Sequence, residues 1–380
     1  RLFGHASGVI PSQSKEERGA IESMILLNPG PVNVSDRVRK ALTFPDICHR
    51  ESECAELIQN IRDKLLKAFV PGAESDYVAI LLTGSGTAAV EASLVSCLPV
   101  GKRVLVVNNG IYGQRMSDIV ASQRLGVPEI KLDWDVTPDP EKISIALKHH
   151  PEVHTLAIVH HETTLGLINP VSEIAKVADE LNRVCVVDSI SGLGGEPIDV
   201  AGSHMYVVAG TAGKCIQGFP GVSFVLIRRG FIERVVKFPK RSMYLNLARY
   251  YEAQVQGSIP FTPAVQVYAA FNEALNELLE EGVQNRVERY ARCAQLIREG
   301  LRNLGVKAVL PTERQSNSIS AFYVPEGMTY QDLHDRLKER GYVIYAGQGH
   351  LNEKIFRVAN MGSLAQADFE GFLSAFKEVV

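Results

Sequence analysis

The fold is decided by residues 183–227, which read RVCVVDSISGLGGEPIDV followed by AGSHMYVVAGTAGKCIQGFPGVSFVLI. The β-branched run at 184–187 predicts a buried strand that ends at Asp188. A second apolar run at 205–209 stops at a small-residue turn, and Lys214 follows that turn. Another apolar run completes the segment and predicts a further strand. The segment thus places one acid and one lysine directly after neighbouring strands.

This acid and this lysine suggest a particular cofactor chemistry. Asp188 and Lys214 are 26 residues apart, and the carboxyl ends of neighbouring strands in an open α/β sheet lie where ligands bind. A carboxylate there can keep the ring nitrogen of pyridoxal phosphate protonated, and a lysine can form a Schiff base with its aldehyde. The alternative is a strand-end acid that caps a helix and a lysine in solvent.

The composition is that of an ordinary globular protein. The 380 residues are 46% hydrophobic and 22% charged, with a formal net charge of −3, which favours neither nucleic acid nor an anionic membrane as a partner. No apolar run is long enough to cross a bilayer. The six cysteines are scattered and form no C-x-x-C pair, which fits reduced thiols, so we expect a cytoplasmic location.

The order of the predicted elements indicates two domains. Residues 1–24 predict a linker or N-terminal arm, and a start at Arg rather than Met suggests a former fusion. We assign residues 25–275 to a large α/β domain, because strands alternate with helices and predict a mostly parallel sheet. Residues 276–380 are assigned to a smaller α+β domain. Helical segments are expected at 243–256 and, with a break near Gly282, in the region that follows.

A strand, a Gly-Ser-Gly turn and a helix predict an anion site. The turn, which includes Gly86, leads into a helix expected to begin at Ala88, so free backbone N–H groups and the positive end of the helix dipole face one point. Ser85 and Thr87 add hydroxyl donors. A dinucleotide site is disfavoured, because the next strand ends at Asn109 rather than at a ribose-binding acid. No Gly-Lys-Ser/Thr follows, so the turn is not a P-loop.

Three other positions are candidates for ligand contacts. Tyr112, at the next turn, can stack on a flat ring or pack as a half-buried core tyrosine. We predict no metal site at His160-His161-Glu162, because adjacent histidines on an extended segment point to opposite faces. One histidine is expected to pack inside, and Thr163 to present its hydroxyl to the ligand. Arg357, on a predicted strand, is either a surface ion-pair partner or a carboxylate ligand facing a cleft between the domains.

With these motifs on the page, residues 25–380 resemble the class V aminotransferases of fold type I. The matching segments are Leu-Asn-Pro-Gly-Pro at 27–31, Gly-Ser-Gly at 84–86, Asn-Gly-Ile-Tyr-Gly-Gln-Arg-Met at 109–116, His-Glu-Thr-Thr at 161–164, Val-Asp-Ser-Ile-Ser at 187–191, Lys-Cys-Ile-Gln-Gly at 214–218 and Phe-Arg-Val-Ala-Asn-Met-Gly at 356–362. Lys-Cys-Ile-Gln-Gly is the most specific for the phosphonate branch. The resemblance implies a pyridoxal-phosphate-dependent transferase with a sheet of the seven-stranded type and a smaller C-terminal domain.

The resemblance also implies a role for each candidate residue. Lys214 would carry pyridoxal phosphate and move the substrate proton, and Asp188 would pair with the ring nitrogen. Tyr112 would stack on the ring, and Thr163 would bond the side that carries the ring hydroxyl. The residues that would bind the cofactor phosphate are Ser85, Gly86 and Thr87, completed across a homodimer interface by Ser258 or Thr262. Those that would contact the substrate are Arg357, Asn28, Gly30, His49 and Arg50.

The implied reaction is a reversible amino transfer between 2-aminoethylphosphonate and pyruvate, which gives phosphonoacetaldehyde and L-alanine. Two departures from the family pattern leave alternatives open. Gly213 stands where a polar amide side chain is usual, and the His49-Arg50 pair is more typical of the alanine–glyoxylate branch. The alternatives are alanine–glyoxylate or serine–pyruvate transamination, a pyridoxal-phosphate-dependent decarboxylase or lyase, and a binding module. A former fusion would favour the synthetic direction.

Overall fold

A seven-stranded sheet forms the centre of the fold. The computed structural model describes residues 24–380, so the arm predicted over residues 1–24 lies, except for Met24, outside the described residues. The strands are β1 (Ile25–Leu26), β2 (Tyr77–Thr83), β3 (Arg103–Asn108), β4 (Ile130–Lys131), β5 (Val153–Val159), β6 (His161–Glu162), β7 (Leu167–Ile168), β8 (Val184–Asp188), β9 (Val207–Thr211), β10 (Val222–Arg228), β11 (Ile319–Tyr323), β12 (Tyr342–Val343), β13 (Tyr345–Ala346) and β14 (Ile355–Ala359).

Helices pack around this sheet and form most of the C-terminal part. They are α1 (Asp36–Ala41), α2 (Ser52–Phe69), α3 (Gly86–Ser96), α4 (Ile111–Ser122), α5 (Pro140–His149), α6 (Val171–Glu180), α7 (Arg229–Val235), α8 (Leu247–Val255), α9 (Val265–Glu281), α10 (Val283–Asn303), α11 (Tyr330–Lys338) and α12 (Gln366–Val379). Within the described part of the chain, no helix combines the length and the apolar character that a membrane crossing needs.

The central sheet is mostly parallel, as predicted. Its strand order is β2-β10-β9-β8-β5-β3-β4, and β10 alone runs antiparallel to both of its neighbours. The strands are buried nearly throughout, which explains why their sequences are continuous apolar runs rather than alternating ones. The α/β fold class is therefore confirmed.

The C-terminal part is built on a smaller antiparallel sheet. Its strand order is β11-β14-β13, and a second apolar core around Phe322, Phe356, Phe372 and Phe376 joins it to α10, α11 and α12. Strand β1 pairs in parallel with β12, so the first described residues belong to this part. The predicted break at Gly282, where φ is +85°, is confirmed. The predicted boundary at 275/276 falls inside α9, and the division into domains stays a prediction.

Several local expectations were wrong. The helix expected at 243–256 begins only at Leu247, because the Asn246 side chain accepts a hydrogen bond from the N–H of Arg249 and caps it there. The hairpin of β6 and β7 was not predicted. The short strands β12 and β13 follow each other closely in the chain but pair with different sheets.

Candidate active site

A cavity of about 280 Å³ opens at the carboxyl edge of the central sheet. Parallel strands β2, β8 and β9 end there, and α3 and α4 begin there. The cavity is lined by these predicted residues: Gly30, Ser85, Gly86, Thr87, Tyr112, Asp188 and Lys214. A larger surface cleft of about 680 Å³ beside Tyr206 has no lysine among its described lining residues. The structure thus brings together the lysine, the acid, the aromatic ring and the Gly-Ser-Gly turn at 84–86, which we call the anion turn.

Lys214 projects from the turn after β9 towards the loop before α1. Its Nζ donates a hydrogen bond to the carbonyl of Pro29. Gly30, with φ +131°, makes this approach possible, since a Cβ there would lie 2.9 Å from Nζ. Burial lowers the pKa of Lys214 to about 8, and the charge of Arg357 lowers it further while that of Asp188 opposes the change. More of the amine is therefore uncharged near neutral pH, as a nucleophile requires.

Asp188 ends β8 with its carboxyl group inside the cavity. Its Oδ1 accepts a hydrogen bond of 3.0 Å from the N–H of Ile190, and its other oxygen has no hydrogen bond among the described residues. Burial raises the pKa of Asp188 to about 6, while the charges of Arg115 and Lys214 oppose the rise. A cationic ring nitrogen beside this carboxyl group would favour its ionised form.

The Gly-Ser-Gly turn lies at the start of α3. Ser85 is the residue before the helix, but its hydroxyl does not cap it. Gly86 and Thr87 belong to the first turn, whose N–H groups have no partner within the helix. Arg115 from α4 donates to the Thr87 hydroxyl at 3.3 Å. The helix dipole, the free donors and this guanidinium all favour an anion at one point.

These groups fit pyridoxal phosphate. The anion turn has uncommitted donors for a phosphate, and Asp188 has a free oxygen for a ring nitrogen. The hydroxyl of Thr163 is fully buried and has no hydrogen-bond partner among residues 24–380, although Thr163 itself does not line the cavity. A buried hydroxyl without a partner is costly unless a ligand satisfies it.

Arg357 is buried between the turn of the β6–β7 hairpin and β13. It is 1% exposed, and its Nε and Nη1 donate to the carbonyls of Ala346 and Thr163, each at 2.9 Å. Nη1 also reaches the Gln348 side chain at 3.3 Å. Its Nη2 has no partner among the described residues. One guanidinium nitrogen therefore remains for an anion.

Neither Arg357 nor the remaining predicted contacts line this cavity. Asn28 is buried and its Nδ2 donates to the Pro31 carbonyl at 2.8 Å, which supports the loop that carries Gly30. His49 is half-buried and Arg50 is exposed, in the segment before α2. The two residues expected to act across a dimer interface, Ser258 and Thr262, lie in the loop between α8 and α9.

The structure corrects the prediction that only one of the two adjacent histidines packs inside. Both His160 and His161 are buried, because the hairpin that begins there is covered on both faces: one ring bonds the Ser189 hydroxyl and the other the Ser191 carbonyl. No group of three or more His, Cys, Asp or Glu side chains within residues 24–380 could hold a metal ion.

At Gly213, a Cβ would lie 3.1 Å from the nitrogen of Pro220, so the structure leaves little room for the usual amide side chain.

Arg115 is a cavity residue that sequence reasoning missed. Its guanidinium lies 4.8 Å from the centroid of the Tyr112 ring and contacts Thr87. The signal was present, since the two residues are three positions apart on one predicted helix and share a face. Ile190 was missed as well, and it lines the cavity opposite Gly86.

Comparison with known proteins agrees with this geometry. The family model described as Aminotransferase class-V matches residues 39–369. A 2-aminoethylphosphonate–pyruvate transaminase of Syntrophobacter fumaroxidans is 37% identical over 94% of this chain and 96% of its own length. The enzyme of the same name from Vibrio cholerae is 34% identical over 94% and 97%.

Solved structures have the same fold. The aspartate aminotransferase of Thermus thermophilus superposes with a TM-score of 0.84 at 29% identity, covering 93% of this chain and 98% of its own. The alanine–glyoxylate aminotransferase of Nostoc superposes with a TM-score of 0.88 at 24% identity, over 96% and 97%. The matched family model covers most of the chain, and this chain belongs to the class V aminotransferases.

Proposed function

We propose that this chain uses pyridoxal phosphate to transfer an amino group between 2-aminoethylphosphonate and pyruvate. The observation that carries the proposal is that Lys214 and Asp188 line one cavity together with an uncommitted anion turn. The printed names of the curated relatives support this substrate pair. The alanine–glyoxylate relative supports the fold alone at its level of identity. The decarboxylase, lyase and binding-module alternatives have no such support.

Each residue of the cavity would have a separate role in this reaction. When bound, pyridoxal phosphate supplies an electron sink for the substrate carbon. Lys214 would hold the cofactor through its Nζ and later take and return the substrate proton, which its lowered pKa permits. Asp188 would keep a proton on the ring nitrogen. Ser85, Gly86 and Thr87 would bind the phosphate, and Tyr112 would cover the ring.

Arg357 would bind the carboxylate of pyruvate or alanine. The support is its unpaired and buried Nη2, because a buried cationic donor gains most from an anionic partner. The same group would serve the phosphonate when the second substrate occupies the cavity. Gly30, beside Lys214, would border the substrate. For His49 and Arg50 the support is the sequence resemblance alone.

We also propose a homodimer in the cytoplasm. Large apolar side chains are exposed near the loop of Ser258 and Thr262, namely Met243 (65%), Tyr244 (40%) and Val255 (56%), and a second copy would cover them. That copy would bring its own loop to the cofactor phosphate. All six cysteines are free, which supports a reducing compartment.

Asp188→Asn should lower turnover by about 10²-fold or more, since breaking a buried charge pair costs roughly 2–5 kcal/mol. The amide retains an oxygen for the Ile190 N–H, so the melting temperature should change little. Asp199→Asn is the matched control, because Asp199 accepts a similar bond from Gly202 at an exposed turn. Steady-state kinetics of both variants test the role, and near-normal turnover of Asp188→Asn would exclude it.

Arg357→Lys should raise the apparent KM for pyruvate by about tenfold or more, because lysine cannot reproduce the planar guanidinium contact. Turnover at saturation should fall less. Arg340→Lys, at the surface, controls for the loss of a guanidinium, and melting curves report stability separately. An unchanged KM together with a lower melting temperature would show that Arg357 is only structural.

The substrate assignment is tested by the specificity for the amino donor. We expect 2-aminoethylphosphonate to give the highest kcat/KM with pyruvate, compared with serine and alanine under the same conditions. Alanine should also aminate phosphonoacetaldehyde in the reverse direction. If serine, or alanine with glyoxylate, reacts faster than the phosphonate, the alternative indicated by His49 and Arg50 is correct.

A further inference from the structure

Glu162, which has no role in the proposed chemistry, is a fully buried carboxylate in β6. Its Oε2 accepts hydrogen bonds from the backbone N–H groups of Tyr112 and Gly113, each at 3.1 Å. Its Oε1 accepts from the N–H of Thr164 at 3.2 Å and from the Thr164 hydroxyl at 2.6 Å. All four partners donate hydrogen bonds, so both side-chain oxygens at position 162 must act as acceptors, as the oxygens of a carboxylate do.

Glu162 caps α4 from outside the helix. The residue before α4 is Gly110, which has no side chain to act as a cap, and a Cβ at Gly110 would lie 2.3 Å from the Cδ of Glu162. The Thr164 hydroxyl accepts from the N–H of Ile111 at 3.0 Å. The first three N–H groups of α4 are thus bound by one turn of a neighbouring hairpin, which also places a carboxylate at the positive end of the helix.

Helix α4 carries one wall of the cavity. Tyr112 and Arg115 both line it, with the guanidinium stacked over the ring and bonded to Thr87. The orientation of the Tyr112 ring therefore depends on where the first turn of α4 lies. That turn is bound by Glu162 through the N–H of Tyr112 itself.

The same hairpin turn also binds Arg357, although neither Thr163 nor Arg357 lines the cavity. The carbonyl of Thr163, the residue after Glu162, accepts from Arg357 Nη1 at 2.9 Å. Its hydroxyl is the buried group without a partner among the described residues. One tight turn therefore connects the aromatic wall with the arginine from the C-terminal part.

We propose that Glu162 is a positioning residue that fixes the Tyr112 ring over the cofactor. The inference rests on the proposed function, since it assumes that pyridoxal phosphate occupies the cavity. A purely structural carboxylate would stabilise the helix without altering how the cofactor is held. The two roles can be distinguished by experiment, because a second glutamate side chain also binds residues next to or within α4. Changing that glutamate reports the effect on helix stability alone.

Glu129 is that second glutamate, and it serves as the matched control for Glu162. Its Oε2 accepts from the Ser117 hydroxyl and, at 2.9 Å, from Asn108 Nδ2. It therefore supports α4 through Ser117 and Asn108, neither of which lines the cavity. Glu162→Gln places an amide donor against the N–H of Tyr112, which does line the cavity. Glu129→Gln makes the same chemical change at partners that do not.

The first measurement is the binding of pyridoxal phosphate to the apoprotein, together with the visible circular dichroism of the bound cofactor. Glu162→Gln should raise the dissociation constant by about tenfold and weaken the dichroism, since a small displacement of a positioned group is costly. Glu129→Gln should leave both unchanged, even if it lowers the melting temperature as much. Thr164→Val removes the hydroxyl that donates to Glu162 and accepts from Ile111, but it leaves the Glu162 carboxylate in place. It should shift both signals in the same direction by less.

A double-mutant cycle tests whether Glu162 acts through Tyr112. In the background Tyr112→Ala, Glu162→Gln should weaken cofactor binding by much less than it does in the parent chain. Equal effects in both backgrounds, or variants at 162 and 129 that behave alike, would overturn the inference. If Glu162→Gln does not fold, the cycle is made with Thr164→Val. A parent chain that does not bind pyridoxal phosphate would instead refute the proposed function.

Discussion

The pairing of β8 with β9 is the constraint on which the site depends. Because the two strands are parallel neighbours in register, with Asp188 opposite Ala209, their carboxyl ends meet at one edge of the sheet. The acid and the turn that carries Lys214 are thereby held by backbone hydrogen bonds rather than by each other. Burial on both faces makes this pairing rigid. The position of the cavity thus follows from the strand order. Its chemistry depends on the side chains at the strand ends, here Asp188 and Lys214.

Burial shifts the pKa values of the two charged groups at this edge in useful directions, and the attraction between the groups limits both shifts. Burial raises the pKa of Asp188 to about 6 and lowers that of Lys214 to about 8, and each group opposes the shift of the other. Both groups are therefore poised to change their charge when a cofactor enters. Arg115 adds positive charge in the lining of the cavity, and the charge of Arg357 also acts on Lys214, which favours ligands with more than one anionic group. A phosphorylated cofactor and an anionic substrate meet that condition.

The features that could be predicted from the sequence are those that a short stretch of neighbouring residues determines. The strand end at Asp188, the lysine after the next strand and the Gly-Ser-Gly turn into a helix follow from short patterns with a physical cause, although α3 begins at Gly86, two residues before the predicted Ala88. The β6–β7 hairpin could not be predicted in this way, because its two-residue strands carry no periodicity. The burial of His161, the bonds of Glu162 and the bond of Arg357 to the Thr163 carbonyl all depend on that hairpin. They involve partners that are distant in sequence, and no local pattern specifies them. Arg115 is the exception, since helical spacing alone could have placed it beside Tyr112.

The most direct test of this account is to identify the lysine that carries pyridoxal phosphate. Borohydride reduction of the holoenzyme attaches the pyridoxyl group permanently to the amine that holds it, and peptide mass mapping then locates the label. We predict a single labelled peptide that contains Lys214. A label on any other lysine, or no label in a protein that has taken up the cofactor, would contradict the central claim that the site is organised around Lys214 and Asp188.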